Sequence, residues 1–193
     1  VAAVLLYTAP AFVMIMSALL FKEGINAKKI LAVVLTIVGC ALVTGVFEGE
    51  ARISPVGLLI GLGAGFGYAL YSIFGRFAIL RGYSSFTITF YTFFFSVAGC
   101  LPLCDFQEIK QGVLTGPRMV GFTVFYVVLT TILPYMLYTK GLENTENGKA
   151  SIIASVEPIV ATLLGFFIMS QALSAAGIIG VVLVITGIVI TNV

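Results

Sequence analysis

Glu157 is the side chain in this sequence with the strongest claim to chemistry. It lies near the middle of an apolar run, residues 149–170, and is the only acidic group placed so deep in one. A charge at the centre of a bilayer costs about 2.5–3.5 kcal/mol on insertion scales. The carboxyl must therefore be protonated, paired or turned toward water. Ala150, Ala154, Ala161 and Gly165 share its helical face at spacings of four and of seven to eight residues. Small residues mark a face that packs against other helices, so Glu157 should point into a bundle. There it could carry a proton or contact a polar solute. A protonated carboxyl bonded to a neighbouring helix is the purely structural alternative.

Prolines, tyrosines and glycines occupy related positions. Pro158 follows Glu157, and Pro10 sits inside another apolar run. Proline removes an intrahelical hydrogen bond and crowds the carbonyl four residues back. The freed carbonyl can face a solute, a serine or a water, although a plain kink also explains either residue. Pro134 predicts a third kink. Thr131, Pro134 and Tyr138 share one face of the run 118–138, with Tyr135 beside them. Tyr138 falls near the end of that run, where aromatic belts form. Thr131 and Tyr135 are better placed for a midplane cavity. Gly57, Gly61, Gly65, Tyr68 and Ser72 share a face of the run 55–79. The glycines fit close helix packing, and Tyr68 could extend past them into a cavity. Gly61–Gly67 has only a superficial likeness to a nucleotide-binding loop, because no strand precedes it and no Lys-Ser/Thr follows.

The elements that must hold these residues are membrane helices. The chain is 60% hydrophobic and 9% charged over 193 residues, against about 25% charged in a soluble domain. That leaves too little polar surface to coat a globule. Seven apolar runs, at roughly 2–21, 29–47, 55–79, 86–104, 118–138, 149–170 and 174–192, approach the about 20 residues a spanning helix needs. Barrel strands would alternate apolar and polar residues instead. The connections after the first, third and fifth runs carry Lys22, Lys28, Lys29, Arg76, Arg81, Lys140 and Lys149. The other connections carry Arg52, Lys110 and Arg118. This bias places the lysine-rich turns and the C-terminus in the cytoplasm, in a multi-pass protein of the plasma membrane. Glu48, Glu50, Asp105, Glu108, Glu143 and Glu146 read as solvated loop charges.

Several function classes are disfavoured. The chain has no histidine, and Cys40, Cys100 and Cys104 form no CxxC pair, so zinc and haem are not expected. No cofactor is expected. There is no basic stripe for a nucleic acid. One deep carboxylate without a partner acid, histidine or nucleophilic dyad argues against an enzyme.

Two stretches of the chain match each other without a gap. Pro10 opens a run ending near Glu23, followed by Val33-Val34-Leu35-x-Ile37-x-Gly39. Pro158 opens a run ending near Gln171, followed by Val181-Val182-Leu183-x-Ile185-x-Gly187. The differences 158 − 10, 171 − 23 and 187 − 39 all equal 148. Five runs separate each copy from its match. Five is odd, so the second copy should cross the membrane in the opposite direction. Inverted repeats of this kind build many secondary transporters, with the solute site between the halves.

These residues resemble the drug/metabolite transporter superfamily in its EamA-type branch. Pro10 through Gly39, with Lys22-Glu23 at the turn, resembles the close of the family's first repeat. Ser54 to Ile190 resembles the second, and Glu157-Pro158 resembles its frequent Glu-Pro pair. Gln171 stands where the family usually has Glu, and Ala9 is the counterpart of Glu157. The resemblance implies an all-α polytopic bundle with seven transmembrane helices visible of an expected ten, from two inverted five-helix repeats. Residues 1–47 would end the first repeat, 48–54 connect, and 55–193 form the second. About three helices would then lie upstream, and residues 1–193 alone should fail to transport. The implied function is secondary transport of a small metabolite or drug-like solute by alternating access. Its candidate solute or proton residues are Glu157, Pro158, Thr131, Pro134, Tyr135, Tyr68 and Pro10. The partners are that solute and the lipid bilayer, and a homodimer could form. A seven-helix receptor or sensor without transport activity is the alternative, but it would leave the repeat unexplained.

Overall fold

A computed structural model describes residues 5–45, 54–170 and 174–192. The expectations placed on Glu48, Glu50, Arg52, Gln171 and most of the 48–54 connection lie outside these residues. All regular elements among the described residues are helical. They are α1 (Ala9–Phe21), α2 (Ala27–Val43), α3 (Pro55–Leu80), α4 (Ser85–Cys100), α5 (Phe106–Gly112), α6 (Pro117–Val127), α7 (Leu133–Leu142), α8 (Asn147–Ala154), α9 (Glu157–Met169) and α10 (Ala175–Asn192). Among the described residues, four stretches are long and apolar enough to cross a membrane: Pro55–Leu80, Ser85–Leu103, Pro117–Leu142 and Asn147–Met169. Ala9–Phe21 and Ala175–Thr191 are shorter apolar helices. The chain is a multi-pass membrane protein. Large apolar side chains face outward, as at Leu19 and Phe167, each about three-quarters exposed. Hydrocarbon solvates such a surface, whereas water would not.

Helix starts follow from local chemistry. Asn26 accepts the Lys29 N–H at 2.8 Å, and Ser174 accepts the Gly177 N–H at 3.0 Å. Each satisfies an orphan donor at a helix N-terminus. Asp105 does the same for Gln107 and Glu108. It thereby opens α5, a short helix where the sequence suggested a plain loop with a solvated acid.

Three expected spans differ in detail. The first and sixth are interrupted, at Tyr7–Thr8 and at Ser155–Val156. Pro10 and Pro158 therefore lie in the first turn of α1 and α9, where a missing N–H costs no intrahelical bond. They mark helix starts and not the interior kinks expected. The break also ends the helical register that was to align Ala150 and Ala154 with Glu157. Beyond it, Gly165 is buried and Ala161 is exposed. In the fifth span a π-helical segment, Val128–Ile132, precedes Pro134, which puts Thr131 inside the irregularity.

The repeat is visible in backbone geometry. The starts of α1 and α9, their ends, and the starts of α2 and α10 are separated by 157 − 9, 169 − 21 and 175 − 27, each 148. Lys22 and Ser170, also 148 apart, both close their helices in the left-handed region, at φ 57° and 52°. Non-glycine residues seldom adopt that conformation. Its recurrence is stronger evidence of repetition than matching apolar letters.

The chain divides into two compact units. One comprises Val1–Arg76 and Thr145–Val193, and the other Phe77–Asn144. In the first, α2 and α10 touch backbone to backbone. A methyl group placed on Gly180 would lie 2.6 Å from the Gly39 carbonyl oxygen and 2.8 Å from the Val43 nitrogen. One placed on Gly187 would lie 2.9 Å from the Ala32 carbonyl oxygen. As the numbers fall from 43 to 32 on α2, they rise from 180 to 187 on α10. The two copies therefore run in opposite directions, as the odd count of spans requires. In the second unit, α4 and α7 meet through an edge-to-face contact of Phe93 and Tyr135 at 5.2 Å.

Gly180→Ala and Gly39→Ala should each destabilise the protein by about 1–3 kcal/mol through overpacking against backbone. Gly63 and Gly67, with nothing near their would-be methyl groups, should accept alanine neutrally or gain up to about 1 kcal/mol of helix propensity. Thermal unfolding of the detergent-solubilised variants checks both expectations.

Candidate functional site

The two helix breaks share one cavity. It is lined by Leu6, Tyr7, Ala9 and Pro10 from the first break, and by Ala154, Ser155 and Glu157 from the second, with Tyr68 and Ser151 completing it. Leu6, Tyr7 and Ala9 are the 148-residue counterparts of Ala154, Ser155 and Glu157. The pseudo-twofold relation thus places one broken helix against the other.

Side-chain hydroxyls satisfy part of each break. Thr8 donates to the Leu5 carbonyl at 2.7 Å, and Ser155 donates to the Ser151 carbonyl at 3.2 Å. Gly65 lets α3 press on the first break, since a methyl group there would sit 2.9 Å from the Thr8 hydroxyl and 3.0 Å from the Leu5 carbonyl oxygen. Gly61 likewise faces Leu5, whereas Gly57 meets only Ser54. The glycine face of α3 therefore has its expected packing role, and Tyr68 on the same helix reaches the cavity.

Glu157 is exposed and occupies the first turn of α9, at the positive end of that helix dipole. Tyr7 packs against the buried cluster of Cys40, Ile159 and Val184 while lining the cavity. The water-accessible volume is about 20 Å³, room for roughly one water molecule. A larger solute requires the walls to part.

Of the expected residues, Glu157, Pro10 and Tyr68 meet in this cavity. Pro158 lies buried one position beyond Glu157. Thr131, Pro134 and Tyr135 belong to the other compact unit. That unit holds a larger cavity, about 350 Å³, lined by Phe86, Phe90, Phe93, Phe94 and other apolar side chains, with Thr89 as its one polar residue. Its lining includes no carboxylate, lysine or arginine, whereas the smaller cavity has Glu157. Tyr7, Ser151 and Ser155 were missed from sequence. Carrying the constant offset through the residues around Pro10 and Pro158 would have paired Tyr7 with Ser155.

The model of the EamA-like transporter family matches residues 1–45 and 55–193. The chain belongs to that family. Relatives of this EamA-like protein include an "Uncharacterized transporter" of Archaeoglobus fulgidus, 28% identical over 98% of this chain and 65% of its own length. YwfM of Bacillus subtilis, named an uncharacterized transporter, is 29% identical over 84% of this chain and 53% of its own length. Protein PecM of Dickeya dadantii is 27% identical over 95% and 61%. The EamA-like chain thus spans between about half and two thirds of these relatives.

The far end of α8 is held by charge. Glu23, in the α1–α2 turn, accepts the N–H groups of Asn147 at 3.0 Å and Gly148 at 3.3 Å. The buried Lys29 donates to the Gly24 carbonyl and to Glu146, both at 2.8 Å. Asn147, fully buried, donates to the Ser72 carbonyl on α3 at 3.2 Å. In the other unit, Glu143 accepts from Ser85 and Lys140 at 2.6 Å each. Glu143 and Glu146 are therefore paired groups and not the solvated loop charges expected, because the helix ends that carry them converge on cationic or hydroxyl partners. Lys140 and Ser85 hold Glu143 below the usual carboxylate range. For Glu146 the hydrogen bond from Lys29 does so against the opposing effect of burial, with Lys29, Lys149 and Arg76 adding favourable charge.

A lowered pKa in the folded state adds stability above the unfolded carboxyl's pKa, about 4.3, and that stability is lost as pH falls through the folded value. Glu146→Gln should therefore cost about 1 kcal/mol or less at neutral pH, given the solvent screening of Glu146. The difference from wild type should shrink toward pH 3. Melting curves across pH 3–7 check this, and a difference that grew on acidification would refute it.

Proposed function

We propose that this chain forms the core of a secondary transporter that moves a small solute across the plasma membrane by alternating access, with its C-terminus in the cytoplasm. The observation that carries the reading is the cavity built from two helix breaks 148 residues apart, with Glu157 at its edge. Half-helices whose ends face a midplane cavity are a recurrent way to present backbone polar groups to a solute. The narrowness of the cavity supports an occluded state, as alternating access requires.

Glu157 is the anchoring group in this reading. It takes up a proton or an amine-bearing, cationic group, with the hydroxyls of Tyr7, Tyr68 and Ser155 as polar contacts. Among the described residues no lysine or arginine lines the cavity, which disfavours a phosphorylated solute, because a buried anion needs a cationic partner. Pro10 and Pro158 set where the helices restart. Thr131, Pro134 and Tyr135, in the π-interrupted span of the other compact unit, are proposed as solute-contacting residues of that unit by itself. Residues 1–47 and 55–193 form the end of one repeat and the whole of the next.

Glu157→Gln should reduce transport by the full-length protein at least about tenfold, the scale of losing one charge-assisted contact. Any remaining activity should lose its pH dependence. Uptake and efflux in proteoliposomes measure both, and unchanged rates with an unchanged pH profile would reject Glu157 as the anchor.

A further inference from the structure

We infer that the contacts of Glu23, Lys29, Glu146 and Asn147 form a gate: a charged clamp that closes the cavity toward the lysine-rich end and, among the described residues, is not repeated at the position related to Lys29 by the 148-residue offset. The inference rests on the transport reading above and concerns how its two access states are balanced.

α8 is a short rod of eight residues, about 12 Å long at 1.5 Å per residue. Its C-terminal end supplies Ala154 to the cavity, followed by Ser155. Its N-terminal end is gripped from three directions. The α1–α2 turn supplies the Glu23 carboxylate to the Asn147 and Gly148 N–H groups. The start of α2 supplies Lys29 to Glu146, and α3 supplies the Ser72 carbonyl to Asn147. A rod this short cannot swing away from the cavity while its far end stays gripped. Solute access from the clamped end therefore requires these bonds to break together. Glu23 and Lys29 come from the first copy of the repeat and Glu146 and Asn147 from the second segment of chain, so the clamp ties together elements that must separate.

The pseudo-twofold relation makes the asymmetry explicit. Adding 148 to Glu23 gives Gln171, and adding 148 to Lys29 gives Gly177. Glycine has no side chain, so Gly177 cannot reproduce the part that Lys29 plays. Gly177 instead contributes only its backbone N–H, to the Ser174 hydroxyl at 3.0 Å. Two access states of a perfectly symmetric carrier would be equally populated. A charged clamp at the Lys29 end biases the resting protein toward the state closed at that end.

The test is side-specific labelling of Ala154→Cys in the full-length protein, in a background where Cys40, Cys100 and Cys104 are alanine. A membrane-impermeant maleimide is applied to right-side-out and to inside-out vesicles. With the clamp intact, the reaction should be faster from the side opposite Lys29. Lys29→Met, and separately the milder Glu23→Gln, should raise the rate from the Lys29 side roughly tenfold, within the usual span of conformational coupling. The exchange Lys29→Glu with Glu146→Lys should bring it back toward wild type, which simple misfolding would not do. If wild type reacts from one side only and both clamp variants leave the rates unchanged, the clamp is overturned while alternating access stands. If wild type reacts equally from both sides, the two access states are equally populated and the clamp is overturned, whereas alternating access stands or falls with the transport assay of Glu157→Gln.

Discussion

Inside a bilayer no water is available to a backbone N–H or carbonyl, so an interrupted helix survives only where protein or a polar cavity meets its loose ends. This chain interrupts two helices, at Tyr7–Thr8 and Ser155–Val156. The rest of the first compact unit can be understood as what makes those interruptions tolerable. Thr8 and Ser155 turn their hydroxyls onto carbonyls of their own breaks. Gly61 and Gly65 bring α3 flush against the first break, where any side chain would collide with Leu5 or Thr8. What remains opens onto the cavity with Glu157. The irregularity that would be a defect elsewhere thus becomes the polar lining of a pocket within an apolar protein.

The second recurring constraint is closeness. Lipid tails are as apolar as leucine side chains, so helices in a membrane gain little by hiding leucines from them and associate through tight packing. The α2–α10 pair shows the result. Gly39, Gly180 and Gly187 bring backbones into direct contact, with Ala32, Thr36 and Val184 filling the intervals. The bulky apolar residues point outward. This antiparallel seam joins the two copies of the repeat through backbone contact. The half-helix α8 is held differently, by ionic and polar contacts at one end and a narrow cavity at the other. Steric contact thus holds the seam, and polar bonds hold the rod.

Charge at the helix ends plays a larger part than composition suggests. A chain with only 9% charged residues uses Glu23, Lys29, Glu143 and Glu146 to join segments far apart in sequence. Lys29 and Glu146 are separated by 117 residues, and Glu23 and Asn147 by 124. The topology rule reads Lys29 simply as a cytoplasmic marker. In the fold its ammonium is buried against Glu146 and the Gly24 carbonyl. These are compatible roles for one residue, since a charge at a helix end can set orientation during insertion and hold neighbours afterwards.

The membrane class, the helical architecture and the inverted relation of the two copies were legible in the sequence, because each depends on periodic or compositional features that survive without contacts. Apolar run length reports bilayer thickness, and an odd number of crossings reverses direction whatever the packing. Glu157, Pro10 and Tyr68 were legible one by one, because a carboxylate, a proline and a glycine-flanked tyrosine are conspicuous in apolar helices, but their meeting in one cavity was not. The helix breaks, the pairing of Tyr7 with Ser155 and the grip on α8 needed tertiary structure. Proline permits a kink, a break or a helix start, and only the neighbours decide which. An acidic loop residue looks solvated until a lysine more than a hundred residues away is folded against it. Local chemistry limits the conformations a segment can take, and contacts between distant segments select among them.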